Sequence, residues 1–270
     1  MSHDLLKVLA TRLTARDRYL CQLLLDYRVL TTNQVTDVAF TSTITASHRL
    51  LSLYRYRVVD RFRPHRTTGS APYHHVLDIA GAAVLAALRG ITVDQLGYRR
   101  DKTLALAHSQ RLAHTVGVNG FFTALISAAR RSRGTAELVE WWSERRCAAA
   151  WGDIVRPDGY GRWRTDGRDV DFFLEYDCGT EPHDRLTAKV AAYADLAEVT
   201  GITTPVLFWL PTSRREAHLR RHLDRVRHTR TAVPVATAAA DTAPSPAAAV
   251  WLCLHDDNGG GRRPLHALAP

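Results

Sequence analysis

The run Arg168-Asp169-Val170-Asp171-Phe172-Phe173-Leu174-Glu175-Tyr176-Asp177 sets acids among large apolar residues. In a strand, Val170, Phe172, Leu174 and Tyr176 share one face, and Asp171, Phe173, Glu175 and Asp177 share the other. A strand covered by helices ordinarily has apolar residues on both faces, and acids that break this rule tend to mark a working site. Just upstream, Pro157-Asp158-Gly159 puts another acid at a turn that can bring it next to Glu175. Converging carboxylates do not all ionise without a cation, and Mg²⁺ suits hard oxygen donors beside a phosphate substrate. Asp158 and Glu175 are the expected metal ligands, with Asp177 as a third ligand or a positioner of water. The chain has only three lysines, Lys7, Lys102 and Lys189. Lys189 falls near the sheet-facing stripe of the next helix, with Leu186 and Tyr193. Such a set of acids suits a divalent metal acting on a phosphate substrate. The other reading keeps the acids hydrogen-bonded to Thr180 or to helix N-termini, in a scaffold without catalysis.

A second set of residues suits DNA contact. Ser47, His48, Arg49, Ser52 and Arg55 are the polar positions of a helix expected over 45–56, whose core face is Leu50, Leu53 and Tyr54. Arg61, Arg63 and Arg66 lie on or beside a hairpin of strands at 58–62 and 73–77, with a turn at 66–70. Before them, Thr14 caps a helix bearing Tyr19, Leu20, Leu23 and Leu24 that ends near Arg28, and Thr32 caps a helix over 33–40. A closing helix follows at 79–88. Helix, helix, polar-faced helix and hairpin is the order of a winged helix-turn-helix, which sets its third helix in the major groove of double-stranded DNA. Tyr73-His74-His75 reads as a pair of wing histidines touching solvent or phosphate, because neighbours on a strand point to opposite faces. A relaxase would need those histidines clustered.

The remaining elements must position the acids. Residues 91–108 read as a connector and 109–131 as a long helix with a broad apolar face. Strands are expected at 138–142, 153–157, 169–178, 205–210, 233–236 and 250–254, with helices at 182–199 and 214–227 and a loop at 238–249. The end, 258–263, reads as flexible. The fold class is α/β, or α+β overall. A winged helix-turn-helix occupies 1–90 and an α/β domain 109–270.

Composition agrees with a polyanionic partner. The 270 residues carry a net charge of +9. Six arginines and one acid lie within 49–66, fourteen acids and eight bases within 137–198, and seven arginines and two acids within 214–230. An acidic island between basic blocks suits a chain that holds a phosphate backbone and places a divalent metal beside it. Cys21, Cys147, Cys178 and Cys253 are too scattered for a zinc clamp and suit a reducing cytosol. No signal peptide or membrane span is expected, and the expected location is the cytoplasm, with double-stranded DNA, a second copy or replication and transfer proteins as expected partners and no membrane.

Several of these motifs together resemble one family. The Leu13-Thr14-Ala15-Arg16-Asp17 entry, the Pro157-Asp158-Gly159 turn, the Phe173–Glu181 run and the helix with Lys189 and Tyr193 are similar to those of the replication-relaxation family of actinobacterial plasmids and mobile elements. The likeness covers about residues 13–226 and implies a DNA-binding protein tied to replication or relaxation. The second half also resembles the restriction-endonuclease-like fold, whose signature is Pro-Asp followed by a strand bearing Asp/Glu-x-Lys. Asp158 and Glu175 match that order. Position 177 departs from it, being aspartate where the signature has lysine. The resemblance implies Mg²⁺-dependent cleavage of DNA, in which Lys189 would take over the lysine's role and stabilise the charge developing on the phosphate.

Overall fold

The computed structural model of the chain describes residues 9, 11–65, 69–225, 233–243, 245–254 and 261–268. They fall into two compact units, Met1–Thr123 and Ala124–Pro270. Helices and sheets mix in both, so the class is α/β as expected.

The first unit opens with α1 (Ala15–Tyr27). Thr14 accepts from the Asp17 N–H, and the Asp17 carboxylate accepts from the Thr14 N–H, a reciprocal capping box. Leu20, Cys21, Leu23 and Leu24 form its buried face. The helix stops at Arg28, whose φ of 70° turns the chain out. There the Asn119 carboxamide donates to the carbonyl of Tyr27, the last helical residue, at 3.0 Å and to that of Val29, just past the cap, at 2.7 Å. A two-residue strand, β1 (Leu30–Thr31), leads into α2 (Thr32–Ala39). The cap is Thr31, one residue before the expected Thr32, because Gln34 completes a capping box with it. Ser42 caps α3 (Thr43–Arg55), which buries Ala46, Leu50 and Leu53. Tyr54, expected on that core face, is instead 40% exposed.

The hairpin β2 (Val59–Phe62) and β3 (His74–Leu77) joins β1 in an antiparallel sheet of order β1-β3-β2. Both hairpin histidines are buried, which overturns their reading as solvent- or phosphate-touching residues. His74 stacks on Phe62, and His75 sits opposite Leu30 of the unanticipated strand β1, with its Nε2 3.0 Å from the Thr32 hydroxyl. Helix α4 (Ile79–Leu88) starts at Asp78, which accepts from the Ile79 N–H. The stretch 91–108 is more than a connector. It holds α5 (Arg100–Ala105) and a 3-10 turn (Leu106–His108), and it buries Tyr98 and Leu106. Helix α6 (Leu112–Arg131) is long and apolar enough to cross a membrane by length and composition alone. It buries Val118, Phe121, Phe122 and Leu125 within the protein.

The second unit is one six-stranded sheet of order β4-β5-β6-β7-β8-β9. Strands β4 (Ala136–Ser143), β5 (Gly159–Thr165) and β6 (Arg168–Tyr176) form an antiparallel meander. Helix α8 (His183–Thr200) then crosses to β7 (Val206–Leu210), and α9 (Ser213–Arg225) to β8 (Val235–Ala239), both strands parallel to β6. The short β9 (Leu252–Cys253) closes the edge antiparallel. The strand expected at 153–157 is absent. Helix α7 (Glu144–Trp151) ends just before that region, which is a turn and irregular chain, and the strand is β5, whose glycines and arginines hide its β pattern. Strand β8 runs on to Ala239, into the expected loop.

Phe173, Tyr160, Val206, Phe208 and Leu210 of the sheet pack with Leu186, Val190, Tyr193, Leu196, Leu219 and Leu223 of α8 and α9. Gly161 gives Phe172 its room, since a Cβ there would lie 2.3 Å from the ring. Near the C-terminus, Arg262 and Arg263 are not loose. Arg262 donates to the buried Glu216 at 2.7 Å, and Arg263 pairs with Trp251. Residues 258–260 lie outside the described residues.

Candidate active site and nucleic-acid interface

Three elements bring the expected residues of the acidic site together. The turn after α7 sets Asp158 at the mouth of β5, where its Oδ2 accepts from the Tyr176 N–H at 2.8 Å and so ties that turn to the end of β6. Glu175, 1% exposed, lies beside Phe208 of β7 in the sheet and turns toward α8. One turn apart on α8, Lys189 and Tyr193 both reach it: Lys189 Nζ donates to Oε2 at 2.7 Å and Tyr193 Oη to Oε1 at 2.6 Å. Lys189 also lies 3.4 Å from Glu181.

The electrostatics follow from this crowding. Burial, and then the Asp158 charge, push the Glu175 carboxyl above the usual carboxylate range, and the bonds from Lys189 and Tyr193 only partly offset them. Burial alone would lower the Lys189 ammonium, but Glu175, Asp158 and Glu181 more than reverse that and hold it charged. Burial raises the Tyr193 phenol well above its ordinary value, so it remains a donor. Asp158, Glu175 and Lys189 therefore form one cluster in which negative charge is only partly compensated.

Asp177 takes a different direction. It is buried and paired with Arg215 of α9, whose Nη2 lies 3.1 Å from Oδ1, and it accepts from the Gly179 N–H at 2.8 Å. Arg215 also donates to the Glu181 carbonyl. Among the described residues, no group of three or more His, Cys, Asp or Glu side chains gathers as a metal cage.

The sequence model of the replication-relaxation family matches residues 22–207. The chain belongs to the replication-relaxation family. No curated protein and no solved structure matches it. The match takes in both the first unit's sheet and the acidic cluster of this replication-relaxation protein.

In its first unit, the residues expected to meet DNA divide into two groups. Ser47, His48 and Arg55 are exposed on α3, and Ser52 is half-buried. Arg49 points back to α1, where its Nε donates to Asp17 at 2.9 Å and its Nη2 to the Arg12 carbonyl at 3.1 Å. Asp17 is fully buried. Its carboxyl lies below the ordinary value, because bonds from Arg49 and Thr14 outweigh the opposing effect of burial. The guanidinium of Arg61 sits over the rings of Tyr73 and Tyr54 at 4.2 and 4.7 Å, and that of Arg63 over Tyr73 at 4.0 Å. Arg66 lies outside the described residues. A groove of about 580 Å³ runs between α3 and the hairpin, lined among others by Ile44, Ser47, His48, Leu51, Arg61 and Arg63. Ile44 lies outside the helix expected over 45–56; the Ser42 cap starts α3 at Thr43 and so places Ile44 on the helix three residues before Ser47.

Proposed function

We propose that this replication-relaxation protein binds double-stranded DNA through its first unit and hydrolyses a DNA phosphodiester at the cluster of Asp158, Glu175 and Lys189 with Mg²⁺. The observation that carries the reading is the 2.7 Å contact of Lys189 Nζ with Glu175, with Asp158 near enough for its charge to act on both. Two features of the fold support it. Helix α6, the antiparallel β4–β5–β6 meander with α7 inserted between its first two strands, the crossover helix α8 and the parallel strand β7 give, apart from that insertion, the order expected of a restriction-endonuclease-like core. In the first unit, α1 to α3 followed by the β2–β3 hairpin have the order of a winged helix-turn-helix.

The donor set fits Mg²⁺, which is usually held by one or two carboxylates plus substrate phosphate and retained waters. When bound, the ion supplies Lewis-acid polarisation of the phosphate and a more acidic water. Asp158 and Glu175 would hold it. Tyr193 holds one oxygen of Glu175, and the bond from the Tyr176 N–H holds one oxygen of Asp158, so both carboxylates are oriented in advance. Lys189 keeps its ammonium beside the cluster to stabilise charge developing on the phosphate.

A second reading is a DNA-binding accessory factor without catalysis. It is favoured by the two side-chain bonds that Glu175 accepts, one on each oxygen, which satisfy the carboxylate by themselves. Incubating supercoiled DNA with the full chain in Mg²⁺ and then in EDTA separates the two. Nicking that needs metal and disappears in Asp158→Asn supports the first, and tight duplex binding with no nicking in Mg²⁺ or Mn²⁺ selects the second.

A further inference from the structure

Helix α3 exposes an apolar side chain where a helix that reads DNA meets base edges. Ile44 stands in its first turn, just after the Ser42 cap, and is 72% exposed. Ile44, Ser47, His48 and Leu51 follow the i, i+3, i+4, i+7 spacing of one helix face, and all four line the same groove. The facing wall is cationic. Arg61 and Arg63 rest on Tyr73, which holds two guanidinium groups side by side. An apolar tip flanked by a hydroxyl, an imidazole and two ordered cations suits a ligand that is anionic at its rim and offers a small apolar patch at its centre.

The major groove of DNA has those properties, and thymine is the base that displays a methyl group there. In helix-turn-helix complexes the N-terminal residues of the reading helix are the ones that contact base edges. We propose that Ile44 is a specificity-determining residue that packs on the 5-methyl group of a thymine in the bound duplex, while Arg61 and Arg63 hold the phosphates alongside. This rests on the reading of the first unit as a duplex-binding module. It moves sequence selection from the arginine that residue type points to, Arg49, to an isoleucine, since Arg49 is already committed to Asp17.

The test uses the full chain. Bound duplexes are selected from a randomised pool and sequenced, and the best one is remade with each thymine in turn replaced by deoxyuridine, which removes only the methyl. At one position, deoxyuridine should weaken wild-type binding about fourfold, the effect of one buried methyl. Ile44→Ala should bind the thymine and deoxyuridine duplexes equally, with an unfolding midpoint like that of wild type. If no thymine is sensed, or if Ile44→Ala discriminates as well as wild type, the assignment of Ile44 is overturned. Arg61→Ala with Arg63→Ala distinguishes the two levels of failure. Loss of affinity and of salt dependence in that variant, with no methyl effect in wild type, removes Ile44 alone. Absence of duplex binding by wild type removes the duplex-binding reading and the inference with it.

Discussion

Replacing Arg49 by alanine strips the cation from a carboxylate whose side chain is only 1% exposed. The Asp17 carboxylate would keep its bonds from the Thr14 N–H and hydroxyl but lose both guanidinium contacts. Removing one partner of a buried pair typically costs about 3–5 kcal/mol, and the partial exposure of Arg49 reduces that to about 2–4 kcal/mol here. At 1.4 kcal/mol per tenfold, amide exchange in α1 and α3 should speed up by roughly 30- to 700-fold. All six tryptophans, from Trp141 to Trp251, lie in the second unit, so their fluorescence supplies a separate readout there. Because the folded Asp17 carboxyl is held below its ordinary value, its contribution is present above pH 3.8 and is lost as pH falls through the folded value. Arg49→Ala should remove most of that contribution at neutral pH. In a double-mutant cycle, adding Asp17→Asn to Arg49→Ala should cost less than the two single changes summed. A stability loss under about 0.5 kcal/mol, within the range of ordinary surface substitutions, would refute the reasoning, most sharply if DNA affinity fell at the same time.

Three further outcomes follow from single contacts. Burial, with Arg61 and His74 nearby, lowers His75 to about 4, and its Nδ1 is buried without a hydrogen-bond partner. The folded state therefore favours neutral His75: its contribution is full above pH 6.5 and declines toward pH 4. About 2 kcal/mol should go between pH 7 and 5 by chemical denaturation of the first unit, and His75→Asn should flatten that slope. Asp177→Asn weakens a buried pair with Arg215 and should lower the second unit's stability by about 1–3 kcal/mol, followed by tryptophan fluorescence, while Mg²⁺-dependent nicking by the folded fraction persists. Gly161→Ala forces a Cβ into the Phe172 ring and should cost about 1–3 kcal/mol in the same assay, whereas Gly261→Ala, with open space at its Cβ, should cost little.

Features decided locally were legible in the sequence. Thr14 and Asp17 three residues apart announce their capping box, the apolar run Ile79–Leu88 is the observed helix, and the acid-bearing run 169–177 locates β6 within a residue or two. Lys189 was found by its rarity and by its place one turn before Tyr193. Features set by distant partners were not legible. Strand β1 has only two residues and exists because β3 pairs with it. Strand β5 is built from Gly-Tyr-Gly-Arg-Trp-Arg-Thr, a poor β sequence held between β4 and β6. Arg49 and Asp17 are 32 positions apart, and Arg215 and Asp177 are 38 apart, so nothing local marks either arginine as spoken for.

The central claim is that Asp158, Glu175 and Lys189 make a phosphodiester-cleaving site, and the most direct measurement is the rate of supercoiled-DNA nicking at saturating protein and Mg²⁺. Wild type, Glu175→Gln and Lys189→Met would be compared, with duplex affinity and unfolding midpoint measured on the same preparations. The account predicts Mg²⁺-dependent nicking by wild type, and a loss of roughly 100-fold or more in either variant, the scale of removing one preorganised electrostatic group, at unchanged duplex affinity. Nicking at the wild-type rate in folded Glu175→Gln, or none by folded wild type that binds duplex in Mg²⁺, would contradict it.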